Sequence, residues 1–244
     1  MAIEQGDFIK VAYTGTVKET GDIFETTYDE IAKELDQYVE GKEYGPIPIV
    51  VGGGHLLKAL DDAVIGMEVG ESKKLEVSPE DGFGKRDPKL VQLVPMKEFK
   101  KQGIKPYPGM MLSMQGQNAK VQSVDGGRIR VDMNHELAGK NLIYEFEIVE
   151  TIDDEEDKVK SLIELHYPME NLDINNTEIT IDGDEVSIKM DEMSKFSSAP
   201  YQEVTFARFR VAKDVWDNMG AKKVNFVDSF EKKEETEEET EAEE

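Results

Sequence analysis

The first third of the chain alternates between patterns typical of strands and patterns typical of helices. Residues 7–17 alternate between bulky and smaller side chains, and a turn at residues 20–22 leads into a second apolar pair, which predicts a β-hairpin. Apolar residues recur at helical spacing in residues 29–41 and predict a helix that stops at a glycine. Residues 45–54 return to β character, and their prolines favour an edge strand. Residues 56–66 again show helical spacing and predict a second helix.

The middle of the chain predicts strands separated by turn-rich segments. Residues 71–84 predict a strand followed by a loop, whereas residues 85–134 mix apolar residues with prolines, glycines and lysines. Residues 119–134 predict a hairpin that turns around Asp125-Gly126-Gly127. Residues 142–148 alternate between large apolar side chains and polar or smaller ones, which predicts a further strand.

The last third of the chain predicts a separate α+β unit. The hydrophobic pattern breaks near residue 153, and a helix is predicted around residues 159–166. A hairpin in residues 178–190, a helix in residues 200–219 and a strand in residues 222–230 follow. This order of helix, two strands, helix and strand is enough for a small α+β domain.

Composition limits the classes of protein to which the chain can belong. With 38% hydrophobic residues it is globular, and its apolar runs are too short to cross a membrane. The net charge of −24 disfavours nucleic acid as a partner. The chain has no cysteine, which excludes disulfides and cysteine nucleophiles, and residues 1–15 contain no signal peptide, so we expect a cytoplasmic protein. The acidic residues 231–244 are expected to be disordered and to serve either solubility or docking to basic partners.

The sequence motifs give little support for a phosphate, nucleotide or metal site. The glycine triplet at residues 52–54 has the outline of a phosphate-binding loop, but no Gly-Lys-Ser/Thr follows it and Leu57 stands where a third Rossmann glycine would be. His55, His135 and His166 have no second histidine at metal-ligand spacing, so each is expected to be a capping or surface residue. We therefore expect no metal, nucleotide or other cofactor. Acidic pairs are too abundant in this chain to indicate a hydrolase.

Several longer segments carry a family resemblance. The segments FIKVAYTGTVKETGDIFETT and PIVVGGGHLLKALDDAVIGMEVGESKKLEVSPEDGFG resemble an FKBP-type peptidyl-prolyl cis–trans isomerase. LVQLVP, the predicted hairpin and NHELAGKNLIYEFEIVE resemble the SlyD-like subgroup, which carries a chaperone domain inserted in the flap. The match covers residues 1 to about 152. The chain is most similar to archaeal long-type members, which add a C-terminal domain.

The resemblance implies an α+β fold with three units. A twisted antiparallel FKBP half-barrel sheet around a short helix would occupy residues 1–85 and 135–152. A mainly-β flap insert would occupy residues 86–134, and a C-terminal α+β domain residues 153–230. The disordered tail would comprise residues 231–244.

The resemblance also implies an apolar pocket that needs no cofactor. The family positions with catalytic roles are occupied by Tyr13, Phe24, Glu25, Leu57, Phe83 and Tyr144, and further pocket positions by Ile47, Leu56 and Leu60. The backbone N–H of Leu57 matches the donor to a substrate carbonyl. The family often has tyrosine where Phe83 stands and aspartate where Glu25 stands. Strand alternation and helical spacing also permit the alternative that several of these side chains are ordinary core.

The insert is rich in flexible apolar side chains. Five of the eleven methionines lie in residues 86–134, and thioethers suit surfaces that adapt to many partners. By resemblance, unfolded or nascent polypeptides with X-Pro bonds would bind Leu90, Val91, Leu93, Val94, Met96, Phe99, Met110, Met111 and Met114. The alternatives are that these residues form the insert's own core, or that the protein binds peptide without catalysis. Phe206, Phe209, Val215 and Trp216 could form a homodimer interface in the C-terminal domain or pack inward.

Overall fold

The computed structural model describes residues 2–35, 38, 44–114, 116–167, 173–196 and 199–229. Within these residues the strands are β1 (Phe8–Val17), β2 (Ile23–Thr26), β3 (Ile47–Val50), β4 (Ser72–Val77), β5 (Val91–Pro95), β6 (Met111–Met114), β7 (Gln117–Asp125), β8 (Arg128–Asp132), β9 (Leu142–Thr151), β10 (Glu178–Asp182), β11 (Glu185–Lys189) and β12 (Lys223–Phe226). The helices are α1 (Asp29–Glu34), α2 (Lys58–Val64), α3 (Met96–Lys101), α4 (Glu155–His166) and α5 (Tyr201–Met219). The predicted α+β class is confirmed.

The first sheet contains five antiparallel strands in the order β2-β1-β9-β4, with β3 also paired to β1. The ten residues of β1 are long enough to pair with β3 near their start and with β2 near their end, while β9 pairs along the other edge. Helix α2 lies against this sheet, because its buried Leu60 and Val64 belong to the same core as the inward side chains of β1 and β9. The sheet therefore surrounds one short helix, as the family resemblance implied.

Two helices in this region differ from the sequence prediction. Helix α1 ends at Glu34, so the predicted continuation through Leu35 and Tyr38 is wrong, and the rest of that prediction lies outside the described residues. Only Ala32 of α1 is buried, so little packing supports a longer helix. Helix α2 begins at Lys58 rather than Leu56, because Leu57 has a non-helical ψ of 139°. It ends at Val64, because Ile65 has a non-helical ψ of 128°.

The insert forms its own sheet and core. Its strands lie in the order β5-β8-β7-β6, and the predicted hairpin is the connection between β7 and β8, which turns at Gly126 and Gly127. Helix α3 contributes Phe99 to a core with Ala119, Val121, Ile129 and Val131. The mainly-β character predicted for the insert is confirmed.

The C-terminal elements occur in the predicted order α4-β10-β11-α5-β12. Strand β11 pairs antiparallel with β10 and parallel with β12, and α5 ends at Gly220 in the left-handed conformation. The core of this unit includes Phe8 of β1 and Val50 of β3. The C-terminal unit therefore packs directly on one face of the first sheet, where β1 and β3 pair. No helix within the described residues is both long and apolar enough to cross a membrane.

Candidate functional site

Three aromatic rings from three strands meet on the inner face of the first sheet. The ring centroids of Tyr13 in β1 and Tyr144 in β9 are 6.0 Å apart, and Phe24 in β2 meets Tyr144 edge-on at 5.7 Å. Tyr13 and Tyr144 are buried, whereas Phe24 is half-buried. Alternation along β1 and β9 turns both tyrosines to the same face. The result is an aromatic cluster that remains open to solvent at Phe24.

The other sequence-predicted apolar residues share the hydrophobic core to which Tyr13 and Tyr144 belong. Leu60 in α2 is buried within this core, and four further residues are half-buried against it: Ile47, Leu56, Leu57 and Phe83. Every predicted pocket residue outside the insert therefore lies in or against this core, except Glu25, which is exposed but accepts a hydrogen bond from the Tyr13 hydroxyl. We use the name aromatic cleft for the candidate site made of Tyr13, Phe24, Leu57, Phe83 and Tyr144, which belong to this core or pack against it.

Glu25 acts on the cleft through its charge. Burial raises the pKa of Tyr13 far above its ordinary value, and the neighbouring Glu25 carboxylate raises it further. Burial followed by the Glu25 charge also raises the pKa of Tyr144. Both hydroxyls therefore stay protonated and neutral at physiological pH, and the Tyr13 hydroxyl donates a hydrogen bond to the Glu25 carboxylate.

The glycine triplet forms a tight loop that is already occupied by a carboxylate of the same chain. Gly52 and Gly54 have φ of +80° and +77°, which favours glycine over other residues. Their N–H groups donate to the two oxygens of the buried Asp61 carboxylate, at 3.1 and 3.3 Å. Because an aspartate takes the donors that a phosphate would need, the loop is a structural turn, as its sequence indicated.

Leu57 ends this loop with its backbone N–H free. Its carbonyl accepts hydrogen bonds from the N–H groups of Leu60 and Asp61 at 2.8 and 3.0 Å, which fixes the start of α2. The N–H of Leu57 donates to no acceptor among the described residues. A fixed backbone donor beside an apolar cleft can bind a carbonyl oxygen of a ligand.

Gly15 is a residue of the cleft that sequence reasoning missed. It lies opposite Glu25 of β2 and Tyr144 of β9, and a Cβ atom at this position would stand 2.5 Å from Cζ of Phe24. The Phe24 ring therefore lies directly on the backbone of β1. A glycine inside a strand is the available sequence signal, because it often marks a close approach of this kind.

His135 is a second missed residue. Its ring stacks on Phe83 with centroids 4.4 Å apart and an angle of 1° between the planes. Its Nδ1 accepts the N–H of Leu137 at 3.2 Å, so the capping role expected for this histidine is confirmed. The stack supports the ring that borders the cleft on the side of the insert.

The other two histidines meet at one aspartate of α5. Nε2 of His55 and Nε2 of His166 lie 2.9 and 2.6 Å from the same oxygen of Asp214. These three are the one group within the described residues whose atoms could together ligate a metal ion. Nδ1 of His55 accepts the N–H of Val50 at 3.1 Å, which assigns the proton of the neutral ring to Nε2. Nε2 then donates to Asp214 and has no lone pair for a metal, so the arrangement fits a hydrogen-bond cluster better than a metal site.

The insert carries an apolar groove of about 310 Å³. Val94, Phe99, Ile104, Leu112 and Met114 line it, with polar side chains at its margin. Of the predicted client-binding residues, Leu93 and Met111 are exposed, while Leu90, Val91, Val94, Met96, Met110 and Met114 are half-buried. Phe99 is buried in the insert's core and forms one wall of the groove, so only part of its surface can meet a ligand.

The outer face of α5 exposes large apolar side chains. Phe206 and Phe209 are 60% and 56% exposed, and Phe209 meets the Trp216 ring edge-on at 6.2 Å. Val215 is fully buried in the C-terminal core and cannot take part in an interface. The side chains predicted for self-association therefore divide between the surface and the core.

Comparisons with known proteins give consistent results. The family model described as "FKBP26_C-terminal" matches residues 155–231, and that described as "FKBP26, IF domain" matches residues 92–137. A Methanocaldococcus jannaschii protein named "Short-type peptidyl-prolyl cis-trans isomerase" is 39% identical over 146 residues, which are 60% of this chain and 92% of the relative.

Two more distant similarities follow. The "FKBP-type peptidyl-prolyl cis-trans isomerase SlyD" of Helicobacter pylori is 28% identical over 109 residues, which are 43% of this chain and 58% of the relative. Among solved structures, the "N-terminal domain of FKBP42 from Arabidopsis thaliana" has a TM-score of 0.33 and 17% identity, and covers 62% of this chain and 77% of that one. That structural likeness is too low to support an inference.

Proposed function

Because the chain belongs to the FKBP-type peptidyl-prolyl cis–trans isomerases, we propose that its aromatic cleft is the site at which X-Pro bonds rotate. The observation that carries the proposal is the backbone N–H of Leu57, which has no acceptor in the part of the chain that the structure describes and belongs to the same site as Tyr13, Phe24 and Tyr144. The Pro ring would enter among the aromatic side chains, and the carbonyl before it would accept the N–H of Leu57.

The proposed mechanism lowers a barrier without covalent chemistry. Rotation about the imide bond faces a barrier of ~18–20 kcal/mol because resonance keeps the bond planar. Water stabilises the charge separation of the planar form, so transfer into an apolar cleft disfavours that form relative to the twisted one. A donor that binds the twisted state more tightly than the planar state adds to this effect. A total of about 5 kcal/mol would accelerate rotation by between 10³ and 10⁴.

A pair of substitutions at Leu57 tests the role of the N–H. Leu57 has φ of −57°, which proline can adopt, so Leu57→Pro removes the donor without requiring a change in φ. Leu57→Ala is the matched control, because it removes the side chain but keeps the N–H. Losing one hydrogen bond of about 1–2 kcal/mol should make kcat/KM for a proline tetrapeptide about 5–30 times lower in Leu57→Pro than in Leu57→Ala. Equal activity of the two variants would contradict the proposal.

The insert is proposed to capture unfolded or nascent polypeptide for the cleft. Its groove offers Val94, Phe99 and Met114 to apolar side chains of a client, and Leu93 and Met111 add exposed apolar surface. The proposed domain limits are residues 1–85 with 135–152 for the isomerase, 86–134 for the insert and 153–230 for the C-terminal unit. Each of these units contributes its own cluster of buried side chains, although the C-terminal cluster also takes in residues of β1 and β3. The acidic residues 231–244 lie outside the described residues.

Removing the insert tests whether the insert captures the polypeptide on which the cleft acts. Deletion of residues 86–134 should slow the refolding catalysis of an unfolded protein far more than the isomerisation of a tetrapeptide, because only the long substrate needs a second binding surface. An equal loss on both substrates would contradict the capture role. A protein that binds clients but leaves both substrates unaccelerated would instead be a peptide-binding module without catalysis.

A homodimer through α5 is the proposed assembly. Phe206, Phe209 and Trp216 form an exposed apolar face on one helix, and aromatic side chains of this kind are enriched at protein interfaces. Val215 is left out of this interface because it is buried within the domain.

A further inference from the structure

Strand β3 lies between the isomerase core and the C-terminal core. Successive side chains of a strand point to opposite faces, and here Ile49 and Val51 pack into the isomerase core while Val50 packs into the C-terminal core. All three are almost fully buried. The loop that begins at Gly52 and ends at Leu57 therefore starts from a strand that both units hold in place.

His55 connects this loop to both units through its two ring nitrogens. Nδ1 accepts the N–H of Val50 within the isomerase unit, and Nε2 donates to Asp214 of α5 in the C-terminal unit. His166 at the end of α4 donates to the same oxygen of Asp214, and the two histidine rings meet edge-on at 5.5 Å. A loop residue two positions before Leu57 is thus tied to two helices of the other unit.

The electrostatics of Asp214 fit an anchoring role. Burial alone would raise the pKa of its carboxyl, but the hydrogen bonds from His166 and His55 outweigh burial and hold the pKa well below its usual range. The carboxylate therefore remains ionised, and charge-assisted hydrogen bonds to an ionised acceptor are stronger than neutral ones. Asp61 holds the glycines of the loop within the isomerase unit. His55 is the link from the loop to the C-terminal unit.

We propose that Asp214 and His166 are positioning residues for isomerisation, which act through His55 to hold the loop so that the N–H of Leu57 points into the aromatic cleft. The C-terminal unit would then contribute to catalysis on small peptides as well as to assembly. This inference rests on the proposed role of the Leu57 N–H as the donor to the substrate carbonyl.

The test uses substitutions in the full-length chain that separate the two hydrogen bonds of His55. His55→Asn keeps an acceptor for the Val50 N–H but cannot reach Asp214, and it leaves the pair of Asp214 and His166 intact. His55→Gln places a donor near Asp214 and is the conservative rescue. Asp214→Ala removes the shared acceptor. Asp217→Ala is the matched control on the same helix, because Asp217 is exposed and pairs only with Lys213 in the described contacts.

The readout is kcat and KM on a proline tetrapeptide, measured in the wild-type and Leu57→Pro backgrounds. His55→Asn and Asp214→Ala should each lower kcat about tenfold with KM nearly unchanged, whereas His55→Gln should recover most of the loss and Asp217→Ala should stay within about twofold of wild type. In the Leu57→Pro background His55→Asn should have no further effect, because no donor remains to be positioned.

The outcomes distinguish this inference from the function on which it rests. If His55→Asn and Asp214→Ala keep wild-type activity while Leu57→Pro is impaired, the positioning role is wrong and the proposed function stands. If His55→Asn lowers activity equally in both backgrounds, it acts through general structure and the positioning role is also wrong. If Leu57→Pro is as active as Leu57→Ala, the N–H of Leu57 is not the donor to the substrate, and the part of the proposed function on which this inference rests fails.

Discussion

Replacing Gly15 with alanine would push a methyl group into the ring of Phe24. The added Cβ would stand 2.5 Å from Cζ and 2.8 Å from Cε2 of that ring. Carbon atoms pack at ~3.5 Å or more, so the ring must move by roughly 1 Å. The backbone itself can accept alanine, because Gly15 does not have a positive φ. The substitution therefore tests the position of Phe24 with little other disturbance.

The expected effect on activity exceeds the effect on stability. Inserting a methyl group into a packed site costs about 1–3 kcal/mol, and the half-buried Phe24 can relieve part of this by turning toward solvent. A displacement of about 1 Å at a catalytic site can lower the rate by as much as 10²-fold. We expect kcat/KM on a proline tetrapeptide to fall about 10- to 100-fold while the free energy of unfolding falls by about 1 kcal/mol.

A double-mutant cycle with Phe24→Ala identifies the cause. The smaller side chain leaves room for the methyl group, so Gly15→Ala should have little further effect on kcat/KM or on the free energy of unfolding in that background. Urea unfolding and a coupled isomerisation assay measure the two quantities. Full activity of the Gly15→Ala single variant would show that the Phe24 ring does not border the catalytic site. An equal loss in both backgrounds would place the effect elsewhere.

Three further predictions concern the acid stability, the insert and the assembly. The pKa of Asp214 is lowered in the folded protein, so its contribution to stability is complete well above the pKa of an unfolded aspartate, ~3.9, and is lost progressively as the pH falls toward the lowered folded pKa. Urea unfolding should show a larger stability advantage of wild type over Asp214→Asn at pH 6 than at pH 3. An equal advantage at the two pH values would contradict this. Met114→Glu places a charge in the insert's apolar groove, and because burying an unpaired charge is costly it should slow catalysis on an unfolded protein several-fold but not on a tetrapeptide. Equal rates of wild type and variant on the unfolded protein would argue against the groove as the capture surface. Phe209→Glu should convert a dimer to a monomer in analytical ultracentrifugation, and a wild-type monomer would exclude the proposed assembly.

Local patterning predicted most of the fold, whereas the walls of the cleft were implied by the family resemblance. Period-two alternation was sufficient to predict the strands that carry Tyr13 and Tyr144, because that prediction needs only the geometry of a single strand. The register of β1 and β9, which turns both tyrosines to one face, is a property of the folded sheet. The C-terminal order of elements was also readable, since Asp182-Gly183 and Gly220 mark a turn and a helix end. Helix α1 was predicted too long because spacing alone does not show whether an apolar stripe has a surface to pack on.

The contacts of His55 and His135 depend on tertiary structure and could not be predicted from the sequence. His55 and Asp214 are 159 positions apart, and nothing in either segment indicates the other. The stack of His135 on Phe83 forms only because the chain returns to the first sheet after the insert. The sequence shows that these histidines exist, but it does not show that His55 contacts Asp214 or that His135 stacks on Phe83.

The most direct test of the central claim is an NMR titration of full-length protein, labelled with ¹⁵N in the backbone and ¹³C in the aromatic rings, with a proline tetrapeptide. Exchange between the cis and trans peptide is recorded in the same samples, so binding and catalysis are observed together. We predict that catalysed exchange is accompanied by the largest amide shift at Leu57 and by shifts of the ring resonances of Tyr13, Phe24 and Tyr144. Catalysed exchange that leaves the Leu57 amide and these rings unperturbed would contradict the account.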